Sequence, residues 1–136
     1  MRELLFRGQT RRKGEKVRMN GEKVPSNWVF GGILSGKGDF SIIYTTDPFD
    51  KFPVYSDTVG QYTGKPDRFQ RKIFEGDIIQ TLRDNIGVVK FVDGSFVVSF
   101  VTMDYLNYLS AFPDDSIEII GNIYDDPELL KKEENG

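Results

Sequence analysis

The sequence contains neither cysteine nor histidine among its 136 residues. Without cysteine it has no disulfide framework, no thiol nucleophile and no cysteine-based zinc or iron–sulfur site. Without histidine it lacks the commonest metal ligand and the commonest general base at neutral pH, which excludes a Ser-His-Asp triad. Any catalytic site would have to use Asp, Glu, Lys or Tyr, and we predict no cofactor, no metal site and no enzymatic activity.

Long apolar segments are also missing. The longest uninterrupted apolar run is far shorter than the roughly 20 residues that a membrane-spanning helix needs. The N-terminal stretch MRELLFRGQTRRKGEK has no apolar core of the kind that signal peptides carry. These observations predict a soluble cytoplasmic protein that has no membrane partner.

Acidic charge is scarce at the start of the chain and abundant at its end. The net charge is −3, yet residues 1–23 carry eight basic and three acidic side chains, whereas residues 73–136 carry four and thirteen. One interpretation is that the two ends attract each other or solvate opposite faces of the fold. The other is a basic N-terminal patch for phosphates, made by Arg11, Arg12 and Lys13.

Most of the chain consists of short runs that are typical of strands. NWVFGGIL (27–34) and FSIIYT (40–45) flank a Gly-rich turn and predict a hairpin, and a loop, DPFDKFP (47–53), is expected after it. Later strands are predicted at 77–83, at 86–101 as a hairpin, and at 116–124. We expect a short helical turn at YLNYLS (105–110), and a short C-terminal helix that begins at Pro127.

These elements predict an α+β fold that is predominantly β. The expected architecture is an SH3-like small β-barrel with an N-terminal β-rich subdomain and the short C-terminal helix. We assign residues 1–56 to the N-terminal β-rich or irregular subdomain, residues 57–130 to the barrel region and residues 131–136 to a frayed tail.

The hairpin at 86–101 allows the register to be predicted as well. Asp93-Gly94 is typical of a two-residue type I′ turn, in which both residues have positive φ. Phe91 should then oppose Phe96, and Val89 should oppose Val98, on an apolar face that forms core. Lys90 opposite Val97 and Val88 opposite Ser99 would form a mixed face nearer to solvent.

A basic and aromatic segment, KPDRFQRK, lies at residues 65–72. Small β-barrels bind single-stranded nucleic acid through cationic grooves and stacking aromatic rings. The candidate nucleic-acid contacts are therefore Lys65, Arg68, Phe69, Arg71 and Lys72, with further phosphate contacts from Arg11, Arg12 and Lys13. The alternative is a solvated turn whose phenylalanine packs into the core.

Two carboxylates, Glu75 and Asp77, bracket Gly76 and could serve as a general acid and base if a pocket separated their pKa values. The alternative is that Gly76 makes a tight turn, which the two acids cap or brace by pairing with nearby basic residues.

The same region resembles the signature of the YopX family of phage and prophage proteins. The matching segments are VGQYTG (59–64), Asp67, IFEGDII (73–79) and IIGNIYDDPELL (119–130), in this order along the chain. Lys65-Pro66 and Phe69-Gln70 depart from the family's usual turn. The resemblance implies a phage-derived accessory protein with a barrel-containing α+β fold, and it implies no reaction.

The function that we expect from this sequence is that of a non-catalytic interaction or assembly module of a prophage. Its 18 aromatic residues (one Trp, six Tyr and eleven Phe) and its several candidate edge strands favour homo-oligomerisation, or binding to an unidentified phage or host protein. Nucleic acid is the alternative partner, bound at the basic and aromatic segment.

Overall fold

The computed structural model describes residues 4–12, 18–19, 22–23, 28–46 and 48–131 of the chain. These residues form two compact units, which divide between Tyr62 and Thr63. The domain boundary after residue 56 stays a prediction. Both units are built from antiparallel strands, and the described helices are single 3₁₀ turns. The predominantly β character predicted from the sequence is therefore confirmed.

The first unit contains a sheet whose strand order is β6-β5-β4-β1-β7. Strands β2 and β3 form a separate two-stranded ribbon, and a 3₁₀ turn spans Ser56–Thr58. The strands are β1 (Phe6–Gln9), β2 (Arg18–Met19), β3 (Glu22–Lys23), β4 (Trp28–Lys37), β5 (Phe40–Thr46), β6 (Phe49–Tyr55) and β7 (Gly60–Pro66), the last of which crosses the division between the units. The predicted hairpin is confirmed as β4 and β5, which turn at Gly38 with φ +73°.

The segment expected to be a loop at 47–53 is mostly strand β6, so that prediction is wrong. Pro53 pairs with Ile42 of β5, and β6 lies at the edge of its sheet. An edge strand tolerates proline because its outer side has no neighbouring strand to which the missing N–H would donate.

The second unit is a five-stranded antiparallel sheet with the order β12-β11-β10-β9-β13, and the short strand β8 neighbours β7. Strand β8 spans Lys72–Phe74. The five strands of the sheet are β9 (Asp77–Thr81), β10 (Ile86–Val92), β11 (Ser95–Phe100), β12 (Leu106–Tyr108) and β13 (Ile117–Asn122). The core contains Ile73, Ile79, Val89, Val98, Phe100, Leu109 and Ile117. No closed barrel is found among the described strands, so the SH3-like barrel is not confirmed.

The register of the β10–β11 hairpin is confirmed pair by pair, from Phe91 opposite Phe96 to Val88 opposite Ser99. Asp93 and Gly94 both have positive φ, at 50° and 80°. The predicted burial is only partly right. Val88 and Val97, on the face expected near solvent, are buried, while Phe91 is 49% exposed. The core therefore ends before the tip of the hairpin, and the base of the hairpin is covered on both faces.

The helical turn predicted at 105–110 is wrong. Leu106–Tyr108 is strand β12, which pairs with β11, and a 3₁₀ turn follows at Leu109–Ala111. The C-terminal helix begins at Pro127 as expected but is a single 3₁₀ turn, Pro127–Leu130. Asp126 makes no side-chain cap there, because its carboxylate accepts a hydrogen bond from the Asn122 amide instead.

Candidate interaction sites

The turn at residues 67–71 is organised by one buried carboxylate. Asp67 is fully buried, and its Oδ1 accepts hydrogen bonds from the backbone amides of Phe69 and Arg71, both at 2.9 Å. Its Oδ2 accepts from Nε of Arg71 at 3.0 Å. Gln70 adopts a positive φ of 64°, which closes the turn. The basic segment is thus a rigid turn rather than a flexible cationic loop.

This turn is also bonded to strand β13, 50 residues further along the chain. Oδ2 of Asp67 accepts from the amide of Ile119 at 3.1 Å, and the guanidinium of Arg71 donates to the carbonyl of Ile119 at 2.9 Å. The amide of Arg68 donates to the carbonyl of Ile117 at 2.8 Å. These bonds use backbone groups that an edge strand would otherwise leave open, so the turn covers part of the β13 edge.

The environment of Asp67 makes its ionised form the favoured one. Burial alone would raise the pKa of Asp67, but the hydrogen bonds from Ile119, Arg71 and Phe69 outweigh it and lower the pKa below its ordinary value. A carboxylate whose folded pKa is depressed stabilises the fold above its unfolded pKa, and that contribution is lost as the pH falls through the folded pKa.

We therefore expect the difference in the free energy of unfolding between the protein and its Asp67→Asn variant (the stability gap) to depend on pH. The gap should be largest at neutral pH and should narrow below about pH 4, the unfolded pKa of aspartate. Urea unfolding of both proteins at pH 7, 5, 4 and 3 measures it. A gap that stays constant over this range would contradict the assignment of Asp67 as an ionised anchor.

The exposed tip of the turn carries an aromatic ring beside two guanidinium groups. Phe69 is 58% exposed, and the guanidinium carbons of Arg68 and Arg71 lie 5.1 Å and 5.5 Å from its ring centroid. The alternative in which this phenylalanine packs into the core is therefore wrong. The side chain of Arg71 forms an ion pair with Asp67. Arg68 helps to hold the turn through its backbone amide, which donates to the carbonyl of Ile117, and not through its side chain.

The remaining candidate contacts are arranged less favourably for an anionic ligand. Lys65 forms an ion pair with Asp114, which offsets its charge, and Lys72 lies exposed at the start of β8. In the first unit, Arg12 donates to both carboxylate oxygens of Asp57 at 3.2 Å and stacks at 4.1 Å over the ring of Tyr55. Arg11 is partly exposed, and Lys13 lies outside the described residues.

The two carboxylates around Gly76 have different environments. Asp77 is buried and accepts a hydrogen bond from the Phe74 amide at 2.7 Å, so it braces the turn between β8 and β9. Glu75 is half-buried on the same turn. Across the described part of the chain, no group of three or more acidic residues is placed to hold a metal ion.

A second exposed surface was not anticipated from the sequence. Strand β12 is the outermost strand of its sheet, and it exposes Leu106 and Tyr108, the latter at 63%; Tyr105, directly before the strand, is exposed as well. Leu106 and Tyr108 lie two residues apart and share one face of the strand. The alternation of Leu106, Asn107 and Tyr108 is a signal of this strand, which the helical turn predicted at 105–110 leaves out of account.

An open cleft of about 430 Å³ lies next to this strand. Asn107 of β12 lines it together with the mainly apolar side chains of Phe100, Met103, Phe112 and Pro113. The amide nitrogen of Asn107 contacts the sulfur of Met103 at 3.7 Å. The face of β12 that carries Asn107, opposite to that of Leu106 and Tyr108, therefore also lies beside apolar side chains.

Comparisons with known proteins agree with this fold. A family model described as YopX protein matches residues 11–131. The crystal structure of protein EF1440 from Enterococcus faecalis is similar, with 20% sequence identity and a TM-score of 0.51, and the match covers 96% of this chain and 100% of that one. No curated protein sequence matches. Among the described residues, no helix has the length and apolar character to cross a membrane.

Proposed function

Since the chain belongs to the YopX family, we propose that it is a non-catalytic interaction module of a prophage that associates through the edge strand β12. Family membership supports the phage origin but supplies no reaction. The two edges of the second unit's sheet differ. At β13, the 67–71 turn forms hydrogen bonds with the outer backbone groups. At β12, aromatic and aliphatic side chains are exposed, and we therefore assign the association to β12.

The observation that carries this proposal is the exposure of Leu106 and Tyr108 on a strand that has β11 as its strand neighbour within the described residues, with Tyr105 exposed directly before it. An edge strand presents backbone N–H and C=O groups that can pair with an added strand, and apolar side chains on it gain further free energy from burial. The predicted SH3-like barrel belongs to this proposal as well, since the four-stranded meander β9 to β12, together with the bulged strand β13 beside β9, has the strand content that such a barrel needs.

Sedimentation velocity over a concentration series tests the proposal with a matched pair of variants. We expect the sedimentation coefficient of the unmodified protein to rise with concentration, and Tyr108→Lys to abolish the rise by placing a charge on the edge. Phe69→Lys is the control, because Phe69 is similarly exposed at 58% but lies on the 67–71 turn, at the opposite edge of the sheet from β12. A rise that survives in Tyr108→Lys would refute the assignment to β12.

A second function, binding of single-stranded nucleic acid, is favoured by the ring of Phe69 between Arg68 and Arg71. An exposed aromatic ring beside guanidinium groups offers a base both stacking and phosphate contacts. The nearby acidic residues weaken this candidate, since Asp67 and Asp114 offset the charges of Arg71 and Lys65.

Fluorescence anisotropy with labelled single-stranded DNA, duplex DNA and RNA separates the two functions. If the turn binds nucleic acid, affinity will fall log-linearly with salt, and Phe69→Ala will weaken it by roughly 1–3 kcal/mol, the contribution of one stacked base. Arg68→Ala should reduce the salt slope by about 1. Neither side chain forms the bonds that hold the turn, so both variants should fold. An absence of binding at low salt would eliminate this candidate.

A further inference from the structure

We propose that the strand that pairs with β12 is the β12 strand of a second copy of this chain, antiparallel and related by a two-fold axis at Asn107. This inference rests on the proposed function, because it identifies the partner of the same edge. The result would be a continuous antiparallel sheet that runs from one copy into the next.

Three edge strands of the described sheets, β13, β6 and β12, differ in how well they resist such an addition. The β13 edge is bonded to the 67–71 turn through Ile117 and Ile119. Strand β6 carries Pro53, and charged residues stand exposed at Asp50 and Lys51, which are features that discourage strand pairing. Strand β12 carries no proline and no charged residue, and its side chains are Leu, Asn and Tyr.

The residues of β12 are complementary to themselves in the antiparallel direction. An axis at Asn107 places Leu106 opposite Tyr108 of the partner subunit, and symmetry repeats the pair in reverse. Both residues lie on the same face, because Leu106 pairs with Ser99 and Tyr108 with Val97 on β11. Two reciprocal pairs of an aromatic and an aliphatic side chain thus form on one face.

Alternative registers are less favourable. If the register slips by one residue, Leu106 and Tyr108 of one copy lie on one face of the joint sheet and those of the second copy lie on the other face. If the axis moves to Leu106 or Tyr108, the apolar side chains of both copies stay on the same face of the sheet. Only one residue of β12 then lies opposite a β12 residue of the second copy. With the axis at Asn107, all three residues of β12 pair, and none of them is charged, so no like charges meet within the strand.

The absence of cysteine makes this register directly testable by cross-linking. Directly opposed Cβ atoms lie about 4.5–5.5 Å apart in an antiparallel pair, close to the separation that a disulfide requires. Asn107→Cys should therefore form a disulfide-linked dimer under mild oxidation. A mixture of Leu106→Cys and Tyr108→Cys, one of them carrying a mass tag, should form the mixed dimer in preference to either homodimer.

The control is Phe69→Cys, which presents a similarly exposed thiol on the 67–71 turn, at the opposite edge of the sheet from β12. We expect dimer formation in the β12 variants to be at least about tenfold faster than in this control, because pairing raises the effective concentration of the two thiols. Near-ultraviolet circular dichroism confirms that each variant is folded, and the Asn107 variant and the mixed pair test the register independently.

The outcomes distinguish this inference from the proposed function. Concentration-dependent sedimentation that is lost in Tyr108→Lys, together with no preference for the mixed dimer or for Asn107→Cys over the control, would overturn the register and leave association through β12 in place. A monomer at all concentrations would overturn both. Preferential cross-linking in both tests would support the two-fold pairing.

Discussion

Asp67→Ala will destabilise the protein by about 3 kcal/mol, at the low end of the loss expected when one partner of a buried ion pair is removed. The substitution leaves the amides of Phe69, Arg71 and Ile119 without their acceptor. Each buried donor that loses its partner costs about 1–3 kcal/mol unless water reaches it. The value stays near the low end because the side chain of Arg71 is 51% exposed and can be rehydrated.

Urea unfolding followed by fluorescence measures this loss, and Asp114→Ala is the matched control. Asp114 also forms an ion pair in the second unit, with Lys65, but its side chain is 47% exposed whereas that of Asp67 is fully buried. Exposed pairs contribute about 0–1 kcal/mol, so its removal should change the free energy of unfolding by less than 1 kcal/mol. Equal losses in the two variants would show that Asp67 is an ordinary surface carboxylate.

Gly76→Ala is expected to lower the stability by about 2–3 kcal/mol, from a strained backbone and a steric contact together. Gly76 has φ +94°, a conformation that residues with a Cβ rarely adopt. A Cβ at this position would also lie 3.0 Å from Cε2 of Tyr124. The backbone cannot relax freely, since the amide of Gly76 donates to Val89 and its carbonyl accepts from Ile123.

The control for this variant is Gly64→Ala. Gly64 also has a positive φ, +86°, but a Cβ there would meet nothing within 4 Å. It should lose only the backbone term, about 1–2 kcal/mol. Thermal unfolding of the two variants separates the terms. If Gly76→Ala melted at the temperature of the unmodified protein, the turn between β8 and β9 would not be the constraint described here.

The sequence was most informative where a local rule fixes the geometry. The two-residue turn Asp93-Gly94 determines which residues face each other, and the register of β10 and β11 followed from it without error. It could not determine burial, because burial depends on what packs over each face. The exposure of Phe91 and the burial of Val88 reflect how far the core extends along the hairpin.

The candidate sites depended on long-range contacts, which the sequence does not display. Asp67 accepts a local backbone bond from Phe69, as short acidic residues do at turns, but its bond to Ile119 joins residues 52 positions apart. Because of that bond, the basic turn at residues 67–71 covers part of the edge of strand β13. Similarly, Leu106–Tyr108 becomes a strand because β11 lies beside it, which overrides a local preference for a helical turn.

We infer that this protein associates through β12 and that the 67–71 turn has a structural role. Hydrogen exchange measured by mass spectrometry, at a low and at a high protein concentration, tests both parts of this inference in one experiment. We expect amides in the segment 105–110 to gain protection at the high concentration, while the segment 67–72 exchanges at the same rate in both samples. Protection that appears at 67–72 with no change at 105–110 would contradict it.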